Sequence, residues 1–118
     1  MTIEDLIERI KSHPKDVSFE QVMNTIAEYY NYNPVQFTNG LEGDFFVNKS
    51  GENEGSCKIF AFAKMNGLTE AETLTCFGDY YRVDVLQHMD GSDHANVRTF
   101  LKCGWPGIHF EESALFIK

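Results

Sequence analysis

Apolar residues recur at helical spacing in the first quarter of the chain, with charged and polar residues between them. This pattern places the apolar side chains on one face of a helix. Thr2 can cap a first helix and Pro14 ends it; its apolar face is Ile3, Leu6, Ile7 and Ile10. A second helix follows Ser18, whose side chain can form a capping box with Gln21. Its apolar stripe comprises Phe19, Val22, Met23, Ile26 and Tyr30.

The segment over residues 34–55 is rich in turn signals, which are Asn39–Gly40, Glu42–Gly43 and Ser50–Gly51. Only the Phe45–Val47 region is apolar enough to form a strand. The sequence therefore predicts a loop that holds one short strand. Connections of this length are uncommon within a domain unless they are functional or contain an element of their own.

The 57–65 segment is apolar nearly all round, which predicts a buried central helix. Thr69 and Glu72 can form a further capping box, which starts a helix that bends at Gly78 and resumes over 80–87.

The last third of the chain predicts one more helix and a short strand. Ser92 or Asp93 can cap a helix over 95–103. The alternation after Ile108 predicts a C-terminal strand or hairpin that pairs with the Phe45–Val47 region. The expected fold is α+β and mainly α, a single domain over residues 1–118 with about five helices and one short strand pair.

Composition narrows the function classes. The 118 residues include 18 Asp and Glu against 10 Lys and Arg, a formal charge of -8, and no basic cluster stands out. Nucleic acid is therefore not expected as a partner. No apolar run approaches the roughly 18 residues of a membrane span, so we expect no membrane insertion. With 42% hydrophobic residues, the chain has enough apolar surface to fold.

The cysteines favour a reducing compartment. Cys57, Cys76 and Cys103 are an odd number at wide spacings, which is atypical of a disulfide framework. Zinc sites usually contain short paired spacings, and the Asp90–Asp93 turn is too short for a calcium loop. We therefore predict no metal and no other cofactor, and a protein that is cytoplasmic when made.

Cys57 and His94 are the candidate catalytic residues. A thiol near the start of the central helix would face the positive end of the helix dipole beside Lys58, and both favour thiolate. His94 could act as its base, oriented by Asp93 or Asn53. The alternative interpretation is a buried structural cysteine and a hydrogen-bonded histidine at the core boundary.

A second hypothesis is a binding surface around the same segments. Asp79 and Arg82 offer an ion pair at helical spacing that could bind a polar ligand, although a surface salt bridge explains them as well. Asn53 can cap the central helix without any ligand. The candidate binding residues are Asn53, Glu54, Ser56, Lys58, Asp79, Tyr81, Arg82, Asp93, Asn96, Arg98 and Trp105.

Several strings in the same order resemble the HopJ type III effector family and span nearly the whole chain. They are Asn48, Gly51, residues 53–58, residues 60–63, residues 76–82, residues 93–96, Arg98 and Gly104–Trp105. The resemblance implies a small bacterial protein in a family named for virulence-related effectors that plant pathogens inject into host cells through a type III secretion apparatus. It implies no established catalysis and no list of catalytic residues.

The predicted function is a small acidic domain that binds a protein or a small molecule. The alternative is a thiol-dependent hydrolase or transferase that uses Cys57 and His94. The residues favour a binding domain over an enzyme. Because the first helix starts at Thr2 and uses core-facing Ile3 and Leu6, we expect no separate disordered export segment and residence in the bacterial cytoplasm. The family name instead implies secretion into host cells, with the type III secretion apparatus as a partner.

Overall fold

Three helices begin at capping boxes, and two of these boxes, at Ser18 and Thr69, are predicted from the sequence. A computed structural model describes residues 1–43 and 45–118. Helix α1 covers Ile3–Ser12 and helix α2 covers Phe19–Tyr29. Helix α4, after the central helix, covers Glu70–Thr75. In each one the N-cap hydroxyl accepts the N–H of the third helical residue, whose side chain in turn accepts the N-cap N–H; the N-caps are Thr2, Ser18 and Thr69.

Helix α3, Glu54–Met65, forms the centre of the core, as predicted. It packs against α2 on one side and α4 on another. The side chains of Ile59, Phe60 and Phe62 are fully buried. A helix that is apolar on most of its faces needs partners on most of its faces, and these neighbours supply them.

The strands differ from the predicted pairing. Strand β1, Tyr30–Tyr32, pairs with the C-terminal strand β5, Leu115–Ile117. A second sheet has the order β3-β2-β4, in which β2 is Phe37–Asn39, β3 is Phe46–Asn48 and β4 is His109–Phe110. All pairs are antiparallel.

The prediction that the Phe45–Val47 region pairs with the C-terminal strand is therefore wrong. In the sheet, strand β2 lies between β3 and β4. The sequence does not predict β2 because its residues lie among turn signals. The architecture is nevertheless α+β and mainly α, as expected. Among the described residues, no helix is long and apolar enough to cross a membrane.

The predicted bend at Gly78 is confirmed. Its φ is +59°, and a Cβ at this position would lie 2.7 Å from the backbone nitrogen of Phe19. Only glycine fits both the backbone conformation and the close approach of α2. After the bend the chain forms a π-helix over Tyr80–Val85, with the Leu86 N–H donated to the Tyr81 carbonyl.

Helix α5 covers Ala95–Cys103 and ends at Gly104, within the predicted bounds. Its cap differs from the prediction, which gave Ser92 or Asp93. His94 is the N-cap residue, with φ 51° and ψ 51°. Asp93 does not cap the helix because its carboxylate is paired with Arg98 instead, at 2.6 Å.

The Glu72 carboxylate, which caps α4, makes the stability of the fold depend on pH. The N–H of Thr69 lies 2.8 Å from Glu72 Oε1 and lowers the pKa of Glu72 below 4.5. A lowered pKa in the folded state adds stability that is complete above the unfolded pKa and is lost as the pH falls through the folded value. Urea unfolding should therefore show a smaller loss of stability between about pH 7 and about pH 3 in Glu72→Gln than in the parent protein. The exposed Glu28→Gln is the control and should behave as the parent; an unchanged loss in Glu72→Gln would contradict the expectation.

Candidate functional site

The starts of α3 and α5 meet at one cleft, with the π-helix along its side. The cleft has a volume of about 430 Å³, which lies in the range of small-molecule sites. Aromatic rings form part of its wall and the two helix starts form the rest. The lining residues are Phe19, Asn53, Gly55, Ser56, Phe77, Tyr80, His94, Ala95, Asn96 and Val97.

Both N-cap residues at the cleft have left-handed backbone. Asn53 has φ 50° and His94 has φ 51°, and in the described chain they are the non-glycine residues with positive φ. Such residues cost of order 1–3 kcal/mol each and persist only where the surrounding structure holds them. The cleft therefore concentrates the backbone strain of the described chain.

A buried amide network holds the two helix starts together. Asn48 Oδ1 accepts hydrogen bonds from the Nδ2 of Asn53 at 2.7 Å and of Asn96 at 2.8 Å. Asn96 Oδ1 accepts from Asn48 Nδ2 and from Asn39 Nδ2, at 3.1 and 3.0 Å. Asn39, Asn48 and Asn96 are at most 5% exposed. The network links strands β2 and β3 to both helices and so fixes the width of the cleft.

The first-turn N–H groups of both helices lack the usual side-chain acceptor. Within residues 1–43 and 45–118, no side-chain cap hydrogen bond is made at the start of α3 or of α5. The Asn53 side chain, which was predicted to cap α3, bonds to Asn48 instead. Gly55, Ser56 and Ala95 line the cleft and belong to the first turns of these helices, whose N–H groups have no acceptor within the helix itself.

The imidazole of His94 is held at the edge of the cleft. Its Nε2 lies 2.9 Å from Asp84 Oδ2 and 3.8 Å from Asp93 Oδ2. The ring also packs on Tyr80, with a centroid distance of 5.0 Å. Asp84, which lies ten residues away in sequence, thus makes the short contact expected of Asp93.

Arg98 orders the loop that carries these groups. Its guanidinium donates to the carbonyls of Asp93 at 2.6 Å, His88 at 2.7 Å and Asp84 at 3.1 Å. It also pairs with the Asp93 carboxylate and thereby lowers the pKa of Asp93. Arg98 is therefore engaged by the protein and acts as a brace.

Asp79 and Arg82 lie at a neighbouring depression that shares Phe19, Phe77 and Tyr80 with the cleft. Their predicted ion pair is present at 3.5 Å, with Asp79 largely exposed. The shorter contacts of Arg82 go to the carbonyls of Val17 at 2.6 Å and Pro14 at 3.0 Å. Arg82 consequently ties the π-helix to the connection before α2.

Cys57 lies in the core and is 1% exposed. Its Sγ is 3.9 Å from the carbonyl oxygen of Val35. Burial raises the pKa of the Cys57 thiol, opposite to the direction expected from the helix dipole and Lys58. The Lys58 ammonium lies over the ring of Tyr32, at 4.6 Å.

The remaining candidate binding residues have contacts of their own. Glu54 Oε1 accepts a long hydrogen bond of 3.4 Å from the Tyr32 hydroxyl. Trp105 Nε1 donates to the Leu68 carbonyl at 3.1 Å, and its ring packs on buried phenylalanines. Tyr81 packs against the edge of the core. Of the predicted site residues, the structure brings together Asn53, Ser56, His94 and Asn96 at the cleft, with Asp93 and Arg98 behind it.

The sequence profile of a family described as HopJ type III effector protein matches residues 3–115. The chain belongs to the HopJ type III effector family. The match covers all the elements that form the cleft, from Phe19 in α2 to Val97 in α5.

A solved relative has the same fold. The crystal structure of the unknown function protein VPA0580 superposes with a TM-score of 0.94 at 44% sequence identity, and the match covers 100% of this chain and 95% of that one. None of the curated proteins matches this sequence. Family membership and the solved relative therefore establish the fold, and they show no biochemical activity.

Thiol labelling of this HopJ protein should discriminate between its three cysteines. Burial raises the pKa of Cys57 and raises that of Cys76 to about 12, so both thiols stay protonated and shielded at neutral pH. Cys103 is partly exposed. Iodoacetamide followed by peptide mass mapping should modify Cys103 first. Fastest modification at Cys57 would contradict this expectation and favour the thiol-dependent enzyme.

Several residues of the site were not singled out as site residues from the sequence. Asn39 sits in a turn signal and Asn48 at a strand end, so nothing local marks them as partners of Asn96. Asp84 lies within the predicted 80–87 helix and belongs to none of the motifs found there. A polar residue within an apolar stretch was the available signal: Asp84 stands between Val83 and Val85.

Proposed function

We propose that this HopJ protein binds a small ligand in the cleft between the starts of α3 and α5. The ligand class that fits is an aromatic acid, meaning a planar apolar ring that carries a carboxylate or a similar acceptor group. The proposal makes the protein a binding domain; membership of the HopJ family by itself implies no biochemical activity.

The proposal rests on one observation: two uncommon kinds of backbone, left-handed N-cap residues and a π-helix, occur together at one concave surface. The two left-handed N-cap residues, Asn53 and His94, line the same cleft as Tyr80, the first residue of the π-helix. Both kinds of backbone are uncommon, and both concentrate at functional sites. A fold that only needed to pack its core could start α3 and α5 with ordinary side-chain caps, as α1, α2 and α4 do.

The chemistry of the walls selects the ligand class. Phe19 and Tyr80 pack edge to face at 5.0 Å, and with Phe77 they give the cleft an apolar side for a flat ring. The lining also includes Gly55, Ser56 and Ala95 from the first turns of the two helices, where acceptors and negative charge are favoured. The protein's charge of -8 opposes anions at long range, so the contacts within the cleft must supply the affinity.

His94 is the side chain placed to contact such a ligand directly. Asp84 and Tyr80 hold the imidazole from two sides, so its orientation costs little on binding. The contact with Asp84 uses Nε2, so the second ring nitrogen, Nδ1, is the atom that a polar group of the ligand would meet.

An NMR titration with benzoate tests the proposal. In the ¹H–¹⁵N spectrum of the full chain, the amide signals of Gly55, Ser56, Ala95 and Asn96 should shift together and saturate. Acetate, which lacks the ring, and phenol, which lacks the carboxylate, are the matched probes and should cause smaller shifts at the same concentration. Shifts spread over the surface, or none for benzoate, would overturn the proposal.

A further inference from the structure

We propose that Asp84, Asp93 and His94 form a binding site for a divalent transition-metal ion at the mouth of the cleft. One ligand atom from each of the three side chains lies within 4.8 Å of the other two. His94 Nε2 is 2.9 Å from Asp84 Oδ2 and 3.8 Å from Asp93 Oδ2. Two carboxylates and one imidazole are a donor set that suits zinc, manganese or iron rather than a soft thiol-seeking ion.

The three ligands come from different local structures that the fold fixes in place. Asp84 lies on the π-helix, Asp93 lies on the loop before α5, and His94 is the left-handed N-cap of that helix. Because Arg98 donates to the main-chain carbonyls of both Asp84 and Asp93, one guanidinium holds the backbone of these two residues together. The metal would thus meet ligands whose backbone is already positioned.

Arg98 also acts as an outer partner of one ligand. It binds Asp93 Oδ1 at 2.6 Å, while Asp93 Oδ2 is the oxygen that lies toward His94. Carboxylates that bind metals are commonly held in this way by a hydrogen bond to the other oxygen. Arg98 does not prevent metal binding by repulsion. Its guanidinium neutralises the charge of Asp93, and the negative charge of Asp84 remains.

Charge and hydrogen bonding favour a cation at this point. A neutral imidazole can donate its Nε2 proton to Asp84, and the contact to Asp93 at 3.8 Å is then too long for a hydrogen bond. A metal ion in place of that proton would be shared by all three groups. Side-chain exposures of 42% for Asp84 and 61% for Asp93 give the ion a path from solvent.

Three protein ligands leave coordination positions open, as in sites where a metal also binds water or a small molecule. His94 lines the cleft, so an open position would lie next to the proposed ligand site. The metal proposal does not rest on the proposed function, since the ion can be bound with the cleft unoccupied. The two proposals can therefore fail separately.

A titration with Zn²⁺ alone, without any aromatic acid, tests the site in the full chain. The chain has four histidines, so their ring signals in one NMR spectrum report which of them binds first. His94 should respond at the lowest zinc concentration, with one ion per chain by calorimetry. An equal response at the exposed His88, or no response at His94 up to millimolar zinc, would overturn the proposal.

Two variants separate ligation from folding. Asp84→Asn removes one ligand charge but keeps the carbonyl that Arg98 binds, and His94→Asn supplies a residue that tolerates left-handed backbone. Each should weaken zinc binding at least tenfold while the amide spectrum away from the site stays that of the parent. Asp90→Asn, an exposed residue of the same loop, is the matched control. If Asp84→Asn and Asp90→Asn bind zinc equally well, the cluster is not the site.

Discussion

Replacement of Asn96 by alanine is expected to lower the free energy of unfolding by about 3 kcal/mol. The substitution removes three buried side-chain hydrogen bonds, two to Asn48 and one to Asn39. The Asn48 amide is then left in the interior with a donor that has lost its partner, and an unpaired buried polar group costs about 1–3 kcal/mol. Urea unfolding followed by circular dichroism measures the difference.

Asn24→Ala is the matched control for this network. Asn24 is exposed on α2, so the same chemical change should alter the unfolding free energy by less than about 0.5 kcal/mol. A loss below about 1 kcal/mol for Asn96→Ala would contradict the network's role, because it would mean that water replaces the lost amide without cost. A large loss would also predict that the amide signals at Gly55 and Ala95 broaden or move in the variant's spectrum.

Phe60→Ala is expected to cost more, about 4 kcal/mol. The Phe60 ring is fully buried on α3 and packs against four aromatic rings at centroid distances of 5.0 to 6.4 Å, which belong to Phe37, Phe77, Phe100 and Trp105. Truncation removes the apolar surface and leaves a cavity that these rings can fill only in part. Thermal and urea unfolding should both show the loss.

Phe116→Ala gives the corresponding control on the surface. Phe116 is 50% exposed on β5, and its removal should cost well under half as much. Because Phe77 lines the cleft and contacts Phe60, the core variant should also change the signals of the cleft. Equal losses for the two phenylalanine variants would contradict the placement of α3 at the centre of the core.

Much of the helical structure was predictable because its signals are local. A capping box joins residues three positions apart; both predicted boxes form, at Ser18 and Thr69, and the cap predicted at Thr2 forms a third. The buried helix α3 and the bend at Gly78 follow from composition and from one glycine. Each of these features depends on residues within a few positions of one another, so the sequence alone is sufficient.

The strands were harder to predict because their partners are remote. Strand β2 is three residues long, and the contacts that define it come from β3 nearby and β4 about seventy residues later. The N-cap of α5 was mispredicted for a similar reason. Arg98 engages Asp93 and the amide network engages Asn96, and together these contacts outweigh an ordinary side-chain cap.

Some residues of the cleft were predicted from the sequence and others were not. The segments around Ser56 and His94 were predicted to carry candidate site residues, and the structure places both at one cleft. The residues that hold these segments in place, Asn39, Asn48 and Asp84, could not be predicted as site residues. They meet their partners Asn96 and His94 only after folding. Cys57 is buried, which is one of the two interpretations that the sequence offered, since a cysteine at a helix start is typical both of a reactive thiol and of a core residue.

The affinity for benzoate of a variant with a filled cleft tests the central claim most directly. Ala95 is exposed at the first position of α5 and lines the cleft, so tryptophan there would occupy the space without entering the core. Ala71→Trp makes the same change at an exposed position of α4. We expect Ala95→Trp to weaken benzoate binding at least tenfold and Ala71→Trp to leave it unchanged; equal affinities in the two variants would contradict binding in the cleft.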